Sequence, residues 1–135
     1  MWLVVLVGCQ SGSDKPQDAS DTAMRLRHLW VGLRDYVDET NRSQGSRPNE
    51  KGFKAYLAGL SKERLAQYQI TDIQETLISP RDGKPFVINY NTPLGGPTPA
   101  IWEETGVNGR RYVLSPDGKV QELDNEQLEQ ASKKK

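Results

Sequence analysis

The stretch "GVNGRRYVLSPDGKVQEL", residues 106–123, decides the fold. Its Asn108-Gly109 pair is the residue choice of a tight hairpin turn, because both central positions of that turn take positive φ. The segment 110–114 that follows carries Tyr112 and Val113, side chains that suit a pleated surface. Ser115-Pro116-Asp117-Gly118 then turns the chain again, into the segment 119–123. Short strands joined by tight turns pair antiparallel. Upstream, "FVINY" (86–90) places Phe86, Ile88 and Tyr90 at alternate positions, on one face of a strand. "AIWEET" (100–105) supplies another strand. "NTPLGGPTP" (91–99) between them holds three prolines and two glycines, which exclude regular structure. The pattern therefore predicts a four-stranded antiparallel meander.

Ahead of the strands the period changes from two to 3.6. Between Asp21 and Thr40, the residues Leu26, Trp30, Leu33 and Val37 recur at helical spacing, with Ala23 and Leu29 flanking the stripe. Asp21 is the expected N-cap. Gly45 and Pro48 break this helix. Phe53, Tyr56, Leu57 and Leu60 then give one face of a second, shorter helix, and "SKERLAQY" and "TDIQETLI" add further turns. At the other end, Asp124 with Gln127 reads as a capping pair, and Leu123 with Leu128 as the hydrophobic staple around it. A C-terminal helix over 125–131 follows.

A helix stripe and a sheet face can bury one another. The expected fold is α+β: a long N-terminal amphipathic helix packed on the meander, with short extra helices. Its expected core is Leu26, Trp30, Leu33, Val37, Phe53, Leu57, Phe86, Ile88, Val113 and Leu114. Among 135 residues, 18 Lys and Arg balance 18 Asp and Glu. That balance removes the unspecific attraction to phosphate on which nucleic-acid binders rely, so no nucleic-acid partner is expected. A single cysteine excludes an internal disulfide, and a single histidine leaves little for zinc.

That cysteine closes the opening run "MWLVVLVGC". Trp2 to Val7 is far short of the roughly 20 apolar residues that span a bilayer. Leu6-Val7-Gly8-Cys9 resembles a bacterial lipobox, in which the leader is cut before the cysteine and the sulfur receives a diacylglycerol. The resemblance implies a leader over 1–8, a lipidated Cys9 with a flexible tether over 9–20, a globular domain over 21–124, and a short helix with a basic tail over 125–135. It also implies a lipid-anchored place in the bacterial cell envelope. The other reading of "VLVGC" is a buried strand with a core cysteine.

No residue pattern marks an active site. His28 lies opposite the apolar stripe and should face water or a partner. Asp82 and Asp117 each precede a glycine in a turn, where Asp is chosen for its bond to the local backbone. The glycines form no phosphate-binding motif. Trp102, Arg110 and Arg111 are the candidates for an interaction surface, the two arginines being read as solvated beside the turn.

The order of parts resembles the globular domain of type II secretion pseudopilins and related prepilin-like proteins. Pro80, Gly83, Pro85 and Phe86 loosely fill the segment that introduces the family's first strand, with Asp82-Gly83 in place of its aromatic-glycine pair. Val113, Leu114, Asp117, Gly118 and Val120 match the closing strand of the planctomycete type. The family's apolar prepilin stem, which builds filaments, has no counterpart here, and a lipid on Cys9 would replace it. Major pseudopilins bind calcium near their last loops, which Asp117 alone could carry over. The expectation is a non-enzymatic envelope lipoprotein that meets an envelope or secretion-system protein. The alternative is a soluble ligand- or calcium-binding module using the 91–109 and 115–119 loops.

Overall fold

In the computed structural model the described residues are 16–42, 47–90 and 98–133. Helix α1 runs over Pro16–Arg42. It begins five residues before the expected Asp21, so the segment 16–20, read as tether, belongs to the helix. Proline suits a first helical position because its missing N–H would have had no partner there. Asp21 lies inside the helix and accepts a bond from Gln17 Nε2 at 2.9 Å. Acidic Asp18 in the first turn and basic Arg42 in the last match the helix dipole. The buried stripe contains Leu26, Trp30, Leu33 and Val37 as expected, and is widened by Leu29 and Tyr36.

Three short helices follow: α2 (Glu50–Ala58), α3 (Lys62–Gln67) and α4 (Ile73–Thr76). Each starts on a side chain that can accept from its first turn. Asn49 accepts from Gly52 N–H at 2.8 Å, Ser61 from Arg64 N–H at 3.1 Å, and Asp72 from Glu75 N–H at 3.0 Å. Phe53 and Leu57 of α2 are fully buried against α1.

The sheet is the expected meander, β1-β2-β3-β4, antiparallel throughout. Its strands are β1 (Val87–Ile88), β2 (Ile101–Trp102), β3 (Arg110–Leu114) and β4 (Val120–Asp124). The first two are shorter than the sequence suggests. Phe86 spends its N–H on Leu77 O at 2.9 Å, and the bridge Ile78↔Pro85 closes the loop before it. Phe86 thus belongs to that loop closure, and Ile88 is half-buried where full burial was expected. The other named core residues are buried, along with Tyr68, Ile70, Leu77, Ala100 and Ile101.

Helix α5 (Asn125–Lys133) lies against β3 and β4. Its capping pair is reciprocal: Gln127 N–H donates to Asp124 Oδ1 at 2.8 Å, and Asp124 N–H donates to Gln127 Oε1 at 3.0 Å. Between β2 and β3, Val107 and Arg110 exchange backbone bonds of 2.9 and 3.0 Å around Asn108 and Gly109, whose φ values are +56° and +76°. Gly106 has no alternative residue. A Cβ there would fall 2.1 Å from Arg110 O, at a φ of +71°.

Candidate functional site

A cluster of buried polar side chains joins the loop 79–85 to the segment 103–106 and to strands β3 and β4. Ser79, Arg81, Asp82 and Glu103 are all buried, at 0, 1, 4 and 0% exposure. Burial of this many polar groups is tolerable only if their bonds are met. Glu103 accepts from Ser79 Oγ at 2.6 Å through one oxygen and from Tyr112 N–H at 2.7 Å through the other. The Arg81 guanidinium sits 3.3 Å from the second of those oxygens and 3.5 Å from Glu122 Oε2. Its Cζ lies 4.1 Å from the centre of the Tyr112 ring, so the cation is shared between two carboxylates and an aromatic face.

Asp82 completes the junction. Its Oδ1 accepts from Lys84 N–H at 3.0 Å, the local turn bond that its sequence context implied. Its Oδ2 accepts from Thr105 N–H at 3.0 Å and Gly106 N–H at 2.9 Å, which ties the loop to the far end of β2. Burial pushes the Glu103 carboxyl above its ordinary range; the bonds from Ser79 and Tyr112, and then the charge of Arg81, pull it back only in part. A hydroxyl 2.6 Å from a carboxylate has the form of a nucleophile and base. Here both groups are sealed, so substrate has no approach to the pair, and the arrangement serves as a fastening.

Neither Glu103 nor Arg81 is among the residues that sequence pattern marks out. One signal was present. Strand alternation puts Glu103 on the same side as Ile101, and Ile101 is fully buried.

The interaction candidates are dispersed. Trp102 is half-buried on β2, with Val113 as its cross-strand neighbour. Arg110 is exposed and ion-paired to Glu122 at 3.4 Å. Arg111 departs from expectation: it is half-buried, and its Nε is buried with no hydrogen-bond partner among the described residues. Cys9 and the segment 91–97 lie outside the described residues. Among the described residues Asp117 accepts from Lys119 N–H alone, at 3.0 Å. Among the described residues no three His, Cys, Asp or Glu side chains gather as metal ligands. His28 is half-buried, and desolvation lowers its pKa against the opposing effect of its hydrogen bond to the Gln69 side chain.

Three clefts among the described residues bear on ligand binding. A cavity of about 80 Å³ lies between α2 and β1, beside Phe53, Leu77, Phe86 and Tyr90. One of about 210 Å³ surrounds His28, Gln69 and Glu75, and one of about 330 Å³ separates Ala19, Ala23 and Arg27 from Tyr112, Val120 and Glu122. Small-molecule sites ordinarily enclose about 300–1,000 Å³, so the first two are undersized. The third sits at the lower bound and is open to solvent.

No protein-family model, curated protein or solved structure matches the chain. Among the described residues no helix is long and apolar enough to cross a membrane.

Proposed function

We propose that the chain is an envelope lipoprotein, anchored through Cys9, that presents a pseudopilin-like α+β domain to a protein partner. The observation that carries the reading is the long helix on a four-stranded meander, introduced by the loop 79–85 and closed by the hairpin of β3 and β4. This layout is the one the sequence resemblance implies. The Leu6-Val7-Gly8-Cys9 run supports the anchor. The polar cluster supports a scaffolding role, because its groups are spent on holding loop to sheet rather than aimed into a cleft. Half-buried Trp102 and exposed Arg110 are the contact residues of choice, aromatic and arginine side chains being favoured at interfaces.

The test is the N-terminal mass of the protein made in a bacterial host, with Cys9→Ser in a detergent phase-partition assay. A diacylated Cys9 that is lost in the variant is the expected result. An unmodified chain that retains Met1 would end the lipoprotein reading and leave the domain fold untouched.

A further inference from the structure

We infer that Asn108 is a site of spontaneous chemical modification, a deamidation that rewrites the tip of the β2–β3 hairpin. Of the asparagines in the chain, Asn108 alone is followed by glycine. The absence of a side chain at Gly109 matters because the reaction begins when the Gly109 main-chain nitrogen attacks Asn108 Cγ. A β-carbon on the attacking residue would hinder that approach, and nothing lies within 4 Å of where one would stand.

Three further features of the turn favour the reaction. Both residues are exposed, so water reaches them. The two cross-turn bonds belong to Val107 and Arg110, and leave the Gly109 N–H outside the ladder. Among the described residues no hydrogen bond holds the Asn108 amide. Asn49 is exposed too, but its amide is held and its neighbour is not glycine: its Oδ1 accepts from Gly52 N–H, its Nδ2 donates to Arg47 O at 2.9 Å, and a glutamate follows it.

The step balances with solvent alone. The Gly109 nitrogen gives up its proton and forms a bond to Cγ, the Cγ–Nδ2 bond breaks, and ammonia leaves a five-membered imide. Water then opens one of the two imide carbonyls, giving aspartate or isoaspartate. Aspartate tolerates the left-handed conformation already present at position 108, so that product keeps the hairpin. Isoaspartate carries an extra main-chain carbon and cannot keep the register that pairs Val107 with Arg110. Either product lowers the formal net charge from 0 to −1 and places a carboxylate beside Arg110 and Arg111. The site goes beyond the proposed function and does not depend on it.

The experiment incubates the full chain in mildly alkaline buffer at physiological temperature, followed by peptide mapping, isoelectric focusing and isoaspartate methyltransferase labelling. The expected result is loss of the Asn108 amide several-fold faster than that of any other asparagine, with an acidic band growing in step. A free Val107–Arg111 peptide should react faster still, since the cross-turn bonds restrain the swing that attack requires. Gly109→Ala should slow the reaction, and Asn108→Asp should reproduce the acidic band without incubation. Survival of the Asn108 amide as long as that of Asn49 in the folded chain would overturn the inference. So would an equal rate in Gly109→Ala that still folds.

Discussion

The chain contains the dipeptide Asp-Gly twice, and the two copies have different fates. At 82–83 and at 117–118 the local chemistry is the same. Each aspartate accepts from the N–H two residues ahead, at 3.0 Å in both cases, and each glycine takes a positive φ, +69° and +89°. Asp117 stops there and faces solvent. Asp82 is buried, and its second oxygen reaches across to two backbone N–H groups of the 103–106 segment. A turn motif therefore specifies its local bond and nothing about the stakes. Those depend on what the rest of the chain brings to the free oxygen.

The comparison can be broken at its most costly point first. Arg81→Met removes the cation from between Glu103 and Glu122 and leaves Glu103 buried without its charge partner. Breaking such a pair costs about 3–5 kcal/mol, and urea denaturation should show the midpoint collapse. Asp82→Ala strips two long-range bonds and one local bond from a buried carboxylate. At about 1.5–3 kcal/mol for a bond to a charged group, the loss should be at least about 3 kcal/mol. Asp117→Ala, which removes one exposed bond, should cost about 0.5–1.5 kcal/mol. Equal destabilisation of the two aspartate variants would refute the contrast.

Acidity sharpens the same contrast. The Glu103 carboxyl titrates above its ordinary range when folded, so the folded state holds its proton at pH values where the unfolded chain has released it. Its contribution is complete below the ordinary glutamate range and is lost as pH rises through the elevated folded value. Stability measured across that window should fall with pH in the wild type and fall more steeply in Arg81→Met. Glu103→Gln should show no such slope. The smallest effect concerns calcium. Millimolar calcium should leave the melting temperatures of wild type and Asp117→Ala equally unmoved, and a gain of several degrees confined to the wild type would restore Asp117 as a cation ligand.

Much of the scaffold was legible in the sequence because it is written in local patterns. The spacing of Leu26, Trp30, Leu33 and Val37 needs only helical periodicity. Asp124 and Gln127 are three residues apart, and their reciprocal bonds follow from that spacing. Asn108-Gly109 specifies its own turn. The junction at Arg81 was not legible for the opposite reason. Its partners Glu103 and Glu122 are distant in sequence, and a charged "SPRDGKP" has the composition of an exposed loop. Burial of an arginine is decided only when two carboxylates and an aromatic ring converge on it. The start of α1 was missed because Pro16 reads as a breaker when its neighbours are polar, although a first helical position accepts it.

The early start of α1 has a mechanical consequence under the proposed anchor. With the helix reaching back to Pro16, seven chain steps separate it from Cys9, and those steps span at most about 25 Å even when fully drawn out. A domain on so short a leash sweeps a thin layer above the bilayer. Its encounters become a search in two dimensions, in which a partner in the same membrane meets it at high effective concentration and one farther away must come to the surface.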